Sequence, residues 1–358
     1  MNGKLKRLVW LTIASLVVAG CSSQRSTETV VINEDVQLAS SLTDSSLQVS
    51  RQQDIKVRQD IIFTGIYRKA TDNRFYFNEE GKLYSFNLET GEEKKVAERE
   101  SIDISDNGNW AMSFEDGDIY MHNLKNGEMQ LFGKGSPVGL HFVGDEVARF
   151  DYRTYLLSLI NVENGETTTW DLRDYPDVVV PLIKKGREDM YFSVLNAEEG
   201  FSIHRLSSEG KVIPVVNFTE KDTASIAFDM LQNGSVIFSG RYDGGTGVFY
   251  WDEQTNDVQQ LVLGGKSSKG IRSYNLSHDE SKIMFDMPVK IEGDVKMNVY
   301  MGELVDGQII NSMRIMENAN LNSTIFYSGH WSEDSNTAYI VAEDDNYIEN
   351  IAIFNVNN

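Results

Sequence analysis

Cysteine is almost absent from this chain of 358 residues, which has one, at position 21. A single thiol forms no internal disulfide, so the folded chain must be stabilised by packing. The uncharged stretch at residues 8–19 has twelve residues, fewer than the roughly 20 that a membrane-spanning helix requires. Convincing helical periodicity is missing after residue 60, which argues against a helical domain.

Basic residues are also in the minority, with 33 Lys and Arg against 54 Asp and Glu. Residues 1–20 hold three of the basic residues and no acid, so the rest carries 30 basic against 54 acidic residues, a net charge of −24. Such an acidic surface disfavours nucleic acid and anionic lipid headgroups as partners. Hydrophobic residues at 41% and aromatic residues at 10% indicate a folded core.

The amino terminus has the composition of an export signal. Three basic residues within the first seven precede the uncharged stretch, and the sequence then reads Val18-Ala19-Gly20-Cys21. This tetrapeptide resembles the lipobox of bacterial lipoprotein signal peptides. The resemblance implies that residues 1–20 are removed and that Cys21 carries diacylglycerol and usually a further acyl chain, which anchor a protein stably. A free cysteine behind an ordinary secretory signal is the alternative.

The residues after the cysteine bear on location. Ser22 and Ser23 follow it, whereas an Asp in the next position resembles an inner-membrane retention signal of enteric-type bacteria. We therefore expect a lipid-anchored protein of the cell envelope, in the outer membrane rather than the inner one.

Residues 21–58 are rich in Ser, Thr, Gln and Asp and contain no aromatic residue. This composition is typical of a flexible tether that lifts a folded domain off a membrane. Two segments within it favour a strand, at Thr29–Ile32 ("TVVI") and near 47–57. Residues 59–358 form the folded domain.

From residue 60 onward, alternating apolar strands are separated by turns that contain glycine. Segments such as "WAMSFEDGDIYMHNLKNGEMQLFG" and "ARFDYRTYLLSLINVENGETTTWDL" follow one plan of three strands and two turns. Two-residue periodicity punctuated by Asn-Gly and Asp-Gly predicts β-hairpins. The unit recurs about every 40 residues, which is typical of four-stranded propeller blades. The predicted fold class is therefore all-β, a β-propeller.

A second repeated phrase precedes several of the second strands, at Ile104–Gly108, Leu276–Lys282 and Trp331–Asn336. It resembles the "WSPDGK" turn of TolB-like propeller blades, with the proline replaced in each copy. Trp251-Asp252 also ends a strand as in WD40 repeats, without their Gly-His partner. The similarity to the TolB-like family covers about residues 60–358 and implies a fold, not an activity.

The repeats predict seven blades, with six or eight as alternatives. The seventh contains only three strands before the chain ends, and an unpaired edge invites aggregation. A strand from Thr29–Ile32 or from 47–57 would close it. The seven predicted blades are 61–99, 100–134, 136–174, 177–219, 223–263, 271–316 and 324–358.

No catalytic constellation is recognisable. The "GGKS" at 264–267 follows Gln260 where a phosphate-binding loop needs glycine, and no nucleophile elbow is present. His141 and His330 fall on predicted innermost strands and are candidates to line the channel, but blades three and seven are not neighbours. We therefore expect a non-catalytic protein without cofactor or metal. Some TolB-like lyases bind a metal through channel histidines, so an exported polysaccharide lyase or hydrolase is the alternative.

A partner would dock on the face that gathers the links between blades and the turns between second and third strands. The sequence places a basic and aromatic set there, in a chain that is otherwise acidic. Arg and Tyr are frequent interface hot spots, so we expect this set to contact an envelope protein or a glycan. Its members are Arg173, Tyr175, Arg241, Tyr242, Lys266, Lys269 and Arg272.

Overall fold

The computed structural model shows an all-β chain. It describes residues 47–56, 68–71, 74–135, 139–175, 182–185, 189–196, 200–218, 224–263, 274–291, 294–319, 329–343 and 349–357. These residues form seven antiparallel sheets of four strands each. They contain no helix, and so none that could span a membrane. The predicted seven-bladed β-propeller is confirmed.

The first four blades lie in sequence order, each running from its innermost to its outermost strand. Blade one has β2 (Arg68–Thr71), β3 (Arg74–Glu79), β4 (Lys82–Asn87) and β5 (Glu93–Ala97). Blade two has β6 (Asp103–Ile104), β7 (Trp110–Glu115), β8 (Asp118–Asn123) and β9 (Met129–Lys134). Blade three has β10 (Leu140–Val143), β11 (Glu146–Asp151), β12 (Leu156–Asn161) and β13 (Thr167–Asp171). Blade four has β14 (Leu182–Lys185), β15 (Met190–Asn196), β16 (Gly200–Leu206) and β17 (Val212–Phe218).

The remaining blades complete the ring. Blade five has β18 (Ala224–Met230), β19 (Val236–Tyr242), β20 (Gly245–Trp251) and β21 (Val258–Leu263). Blade six has β22 (Tyr274–Leu276), β23 (Lys282–Ile291), β24 (Asp294–Val305) and β25 (Gln308–Ala319). Blade seven has β26 (Gly329–Trp331), β27 (Thr337–Glu343), β28 (Glu349–Asn357) and, outermost, β1 (Gln48–Lys56).

The antiparallel strands give the propeller two faces. We call the face with the turns between second and third strands, and with the links between blades, the upper face. The lower face has the turns between first and second strands and between third and fourth strands. Because the innermost strands surround the central channel, their side chains determine what the channel offers to a ligand.

The amino-terminal strand β1 closes the ring. It pairs antiparallel with β28, from Gln48 opposite Asn357 to Lys56 opposite Asn350. Leu47, just before β1, is buried in the core between blades six and seven. The prediction that a segment near 47–57 supplies the missing strand is confirmed, whereas Thr29–Ile32 lies outside the described residues.

Each junction between blades has a hydrophobic core of its own. Seven clusters of buried side chains lie at seven successive junctions, including one between blades seven and one. In that closing cluster, Phe75 and Phe77 of blade one pack with Tyr339, Ile351 and Ile353 of blade seven. Since each strand alternates its side chains between two neighbouring junctions, the two-residue periodicity of the sequence is what builds the ring.

The repeated Ser-containing phrase folds into one kind of turn on the lower face. In blade two, the Ser105 hydroxyl donates to Asn107 at 2.9 Å and accepts from the Trp110 amide at 3.0 Å. Ser277 in blade six and Ser332 in blade seven make the equivalent pairs of bonds. The serine therefore recurs because its hydroxyl closes the turn before the second strand.

Candidate functional site

Arg241 and Tyr242 lie on the upper face, at the end of β19. Asp243 and Gly244 follow with positive φ angles of 46° and 73°. Positive φ at both residues is typical of a two-residue hairpin turn whose twist matches that of the flanking strands. The ring of Tyr242 packs edge-on against Phe249, with centroids 5.8 Å apart, while Arg241 is half-exposed. The tyrosine is thus anchored in the core between blades four and five, and the arginine faces solvent beside it.

Arg173 and Tyr175 follow β13 in the link to blade four. The Arg173 guanidinium is exposed and clasps Asp171, with Nε 2.8 and 2.9 Å from the two carboxylate oxygens. This pairing lowers the pKa of Asp171 and raises that of Arg173. Tyr175 packs edge-on against Phe192 and His204, with centroids 5.7 and 4.6 Å away. Arg173 therefore offers less free charge to a partner than its sequence context predicts.

Two further tyrosines on this face were missed by the sequence reasoning. Tyr152 and Tyr155 form the turn between β11 and β12 and pack edge-on against Phe150, with centroids 5.2 and 6.1 Å away. The Leu172 amide donates to the Tyr155 carbonyl at 2.8 Å, which joins this turn to the link that carries Tyr175. The available signal was "FDYRTY", a turn with two aromatic residues where polar ones are usual.

Four half-buried tyrosines thus border the upper face over blades three to five. We call Tyr152, Tyr155, Tyr175 and Tyr242 the tyrosine rim. The first three belong to the core between blades three and four, and Tyr242 belongs to the next junction. A half-buried tyrosine combines a fixed ring with a polar hydroxyl, which suits both protein and glycan contacts. The hydroxyl of Tyr152 is itself buried, so this residue offers only its ring. Lys266, Lys269 and Arg272 of the predicted set lie outside the described residues.

In the channel, polar side chains on innermost strands connect successive blades. Asp103 of blade two accepts a hydrogen bond from the Phe142 amide of blade three at 2.5 Å. Lys184 of blade four forms an ion pair with Asp229 of blade five, with Nζ 3.0 Å from Oδ1. Their side chains are 37% and 32% exposed, so water reaches this pair and screens it.

His141 is next to this ion pair and, unlike Lys184 and Asp229, has a ring nitrogen without a described partner. Its Nε2 atom is buried and has no hydrogen-bond partner among the residues that the structure describes. Burial and the charge of Lys184 lower the pKa of His141 to about 4, so the imidazole is neutral at physiological pH. Asp229 in turn raises the pKa of Lys184, which keeps the ammonium charged. Lys184 and His141 thus place a charged ammonium beside a neutral imidazole.

The structure does not bring the two predicted channel histidines together. His330 is half-buried on β26, where it pairs with Tyr339 of β27, and blades three and seven are not adjacent. Among the described residues, no three His, Cys, Asp or Glu side chains converge as a metal site would require. The channel is therefore polar without presenting a recognisable metal centre in that part of the chain.

Comparison with known proteins bears on the fold. No family model and no curated protein matches the sequence. Solved structures that resemble this chain include one from the "Mitotic Checkpoint Complex" (12% identity, 92% of this chain and all of that one, TM-score 0.54) and the "N-terminal Domain of Nup159" (11%, 87% and 96%, TM-score 0.50). The tricorn protease also matches, but this chain spans only 28% of its length, at a TM-score of 0.40. The first two similarities support the propeller fold alone.

Proposed function

We propose that this protein is an envelope lipoprotein, anchored through Cys21 in the outer membrane, whose TolB-like propeller is a non-catalytic binding module. The observation that carries the proposal is the position of β1. Gln48, at its beginning, pairs with Asn357, at the lower end of β28. The segment that precedes β1 therefore joins the propeller at its lower face, opposite the tyrosine rim.

This attachment turns the upper face away from the anchor. Residues 22–46 lie between Cys21 and the buried Leu47. A random-coil chain of that length has an end-to-end distance of about 30 Å. The lower face then lies nearer to the membrane, and the tyrosine rim with Arg241 is presented to the surroundings. A fixed scaffold with variable turns on its free face is the usual arrangement of a binding site.

The partner that this face suits is an acidic or hydroxyl-rich surface, either a protein or a glycan. Arg241 supplies a half-exposed cation, and Tyr242 beside it is held by Phe238 and Phe249. Rigid aromatic side chains lose little conformational entropy on binding. The predicted basic residues of the 264–272 segment belong to the link that follows the same blade.

The proposal is tested by reversing charge on the upper face. A variant with Arg241→Glu, Lys269→Glu and Arg272→Glu should lose at least about tenfold in affinity for partners captured from envelope extract. The matched control carries the same three changes of charge away from this face, as Lys94→Glu, Lys125→Glu and Lys211→Glu. Circular dichroism checks folding of both. Equal binding by the two folded variants would reject the upper face as the docking site.

One observation favours a second function, an exported enzyme of the lyase or hydrolase class that uses the channel. It is the buried, unpartnered Nε2 atom of His141 beside Lys184. Metal analysis of the purified protein distinguishes the two. Suppose that the wild-type protein contains a near-stoichiometric transition metal and that the His141→Ala, His330→Ala variant does not. That result would reject the non-catalytic binding module in favour of the enzyme.

A further inference from the structure

Met129, the first residue of β9, is an exposed methionine. It is 48% exposed, whereas every other methionine that the structure describes is buried or half-buried. Met112, Met121, Met284 and Met301, for example, are completely buried. The oxidation of a sulfur-containing side chain depends on its access to solvent. Among the described methionines, Met129 therefore has the sulfur that a dissolved oxidant reaches most readily.

The blade does not require a methionine at this position. Blade three has the same Asn-Gly-Glu sequence in its last turn, and Thr167, the first residue of β13, corresponds there to Met129. Thr167 is exposed as well. Because a polar residue occupies the same place in a blade of the same geometry, the thioether of Met129 does not serve to fill a core.

The sulfur of Met129 lies against a guanidinium that other groups hold in place. Arg99, in the link between blades one and two, donates from Nη1 to the Met129 Sδ atom at 2.7 Å. Its Nε atom donates to the Glu115 carboxylate at 2.6 Å. Its Cζ atom lies 4.2 Å from the centre of the Tyr120 ring. The ion pair and the aromatic ring thus fix a charged hydrogen-bond donor beside the exposed sulfur.

We propose that Met129 is a site of oxidation to methionine sulfoxide by hydroperoxides, and that Arg99 binds the oxygen that the sulfur gains. With hydrogen peroxide, a sulfur lone pair attacks one oxygen, so that an S–O bond forms as the O–O bond breaks. The transferred oxygen gives its proton to the leaving hydroxide, which becomes water. The sulfur loses two electrons and the peroxide gains them, so the reaction needs no further reactant.

The position of Arg99 gives this oxidation an unusual effect on stability. A sulfoxide in an apolar core destabilises a protein, because a polar oxygen enters apolar surroundings. At Met129 the oxygen forms at the surface, beside a charged donor. A thioether sulfur accepts hydrogen bonds only weakly, so oxidation replaces a weak N–H···S contact by a charge-assisted N–H···O bond. That bond joins the link after blade one to the outermost strand of blade two, and it stabilises their junction.

Peptide mapping by mass spectrometry tests the site. The full-length chain with Cys21→Ser, kept in detergent, is treated with limiting hydrogen peroxide, and each rate is divided by that of the same peptide in the urea-unfolded chain. We expect Met129 to react at least about ten times faster than the half-buried methionines, which are Met230, Met297, Met313 and Met316. Met129→Leu, a change of similar volume, should leave their rates unaltered. A rate for Met129 no higher than theirs would overturn the proposal.

Urea unfolding before and after oxidation of Met129 tests the role of Arg99. We expect oxidation to lower the unfolding equilibrium constant of the parent chain at least about fivefold more than that of Arg99→Leu. The packing lost in that variant is the same in both oxidation states and cancels in the comparison. Lys134→Leu, which removes a cation from the same strand, should respond as the parent does. An equal effect of oxidation in the parent and Arg99→Leu would reject Arg99 as the group that binds the oxygen. Neither measurement depends on the anchor or on the upper face.

Discussion

At the scale of single residues, the polar groups of the channel serve first to join neighbouring blades. Asp103 reaches the main chain of blade three, and Lys184 reaches Asp229 of blade five. Tyr274 continues the series, because its hydroxyl donates to the Ile237 carbonyl at 3.0 Å. His141 alone among these groups has a buried nitrogen without a described partner, so it is the residue whose titration tests the channel.

We expect His141 to make the protein less stable in mild acid. Its pKa is about 4 in the folded chain, against about 6.5 unfolded. The unfolded chain therefore takes up the proton first, and the stability present above pH 6.5 is lost as the pH falls to 4. The loss attributable to this group is roughly 2–4 kcal/mol. Urea unfolding at pH 7 and pH 4.5 should show a smaller difference for His141→Gln than for wild type.

His204 also has a pKa of about 4 because of burial, so part of the acid sensitivity stays in that variant. The control is His278→Gln, at an exposed position on the lower face. An unchanged pH dependence in His141→Gln would show that the imidazole is not held neutral by its surroundings.

Sequence reasoning succeeded for residues whose role is local. Ser105, Ser277 and Ser332 recur at a fixed distance from a second strand because each closes its own turn. It failed for Tyr152 and Tyr155, whose packing partner Phe150 and neighbouring link are fixed only when blades three and four meet. The sequence also placed Arg173 in the partner-contacting set without its ion pair to Asp171, because that pair depends on the local backbone and not on composition.

At the scale of elements, β1 is the strand on which closure of the ring depends. Leu47 is 2% exposed within the core of blades six and seven, and the Arg51 guanidinium lies 5.8 Å from the centre of the Phe354 ring. The alternation of the sequence predicted this strand as one of two candidates. The sequence could not select between the two candidates. The choice depends on how far each segment lies along the chain from the open edge of blade seven and on the shape of that edge.

Two truncations separate the strand from the tether. Deleting residues 22–56 should lower the melting temperature by about 10 °C or more, because a strand ladder and the burial of Leu47 are lost. Deleting residues 22–45 should leave the melting temperature within about 2 °C of the mature protein. Thermal scans by circular dichroism measure both. Equal melting temperatures for the two truncations would mean that β1 adds nothing to closure.

At the scale of the whole molecule, the anchor and the binding face are at opposite ends in the proposed function. The prediction that follows concerns Cys21, which lies outside the described residues. Cys21→Ala should abolish lipid attachment and move the protein from the membrane fraction to the soluble or precursor fraction. Intact-mass analysis and fractionation check this. An unmodified Cys21 in the wild-type protein would contradict the lipobox resemblance, and Ser22→Ala serves as the control.

The pairing of β1 with β28 has a consequence for the order in which the chain becomes complete. Residues 48–56 leave the ribosome early, yet their partner strand, 349–357, follows only after the other six blades. Six blades form from nearby sequence, whereas the seventh waits for contacts that span almost the whole chain, the slowest kind to establish. Because Gln48 and Asn357 are paired neighbours, circular permutation is feasible. A chain joined from 357 to 48 and reopened in the link between β21 and β22 would build every blade from continuous sequence.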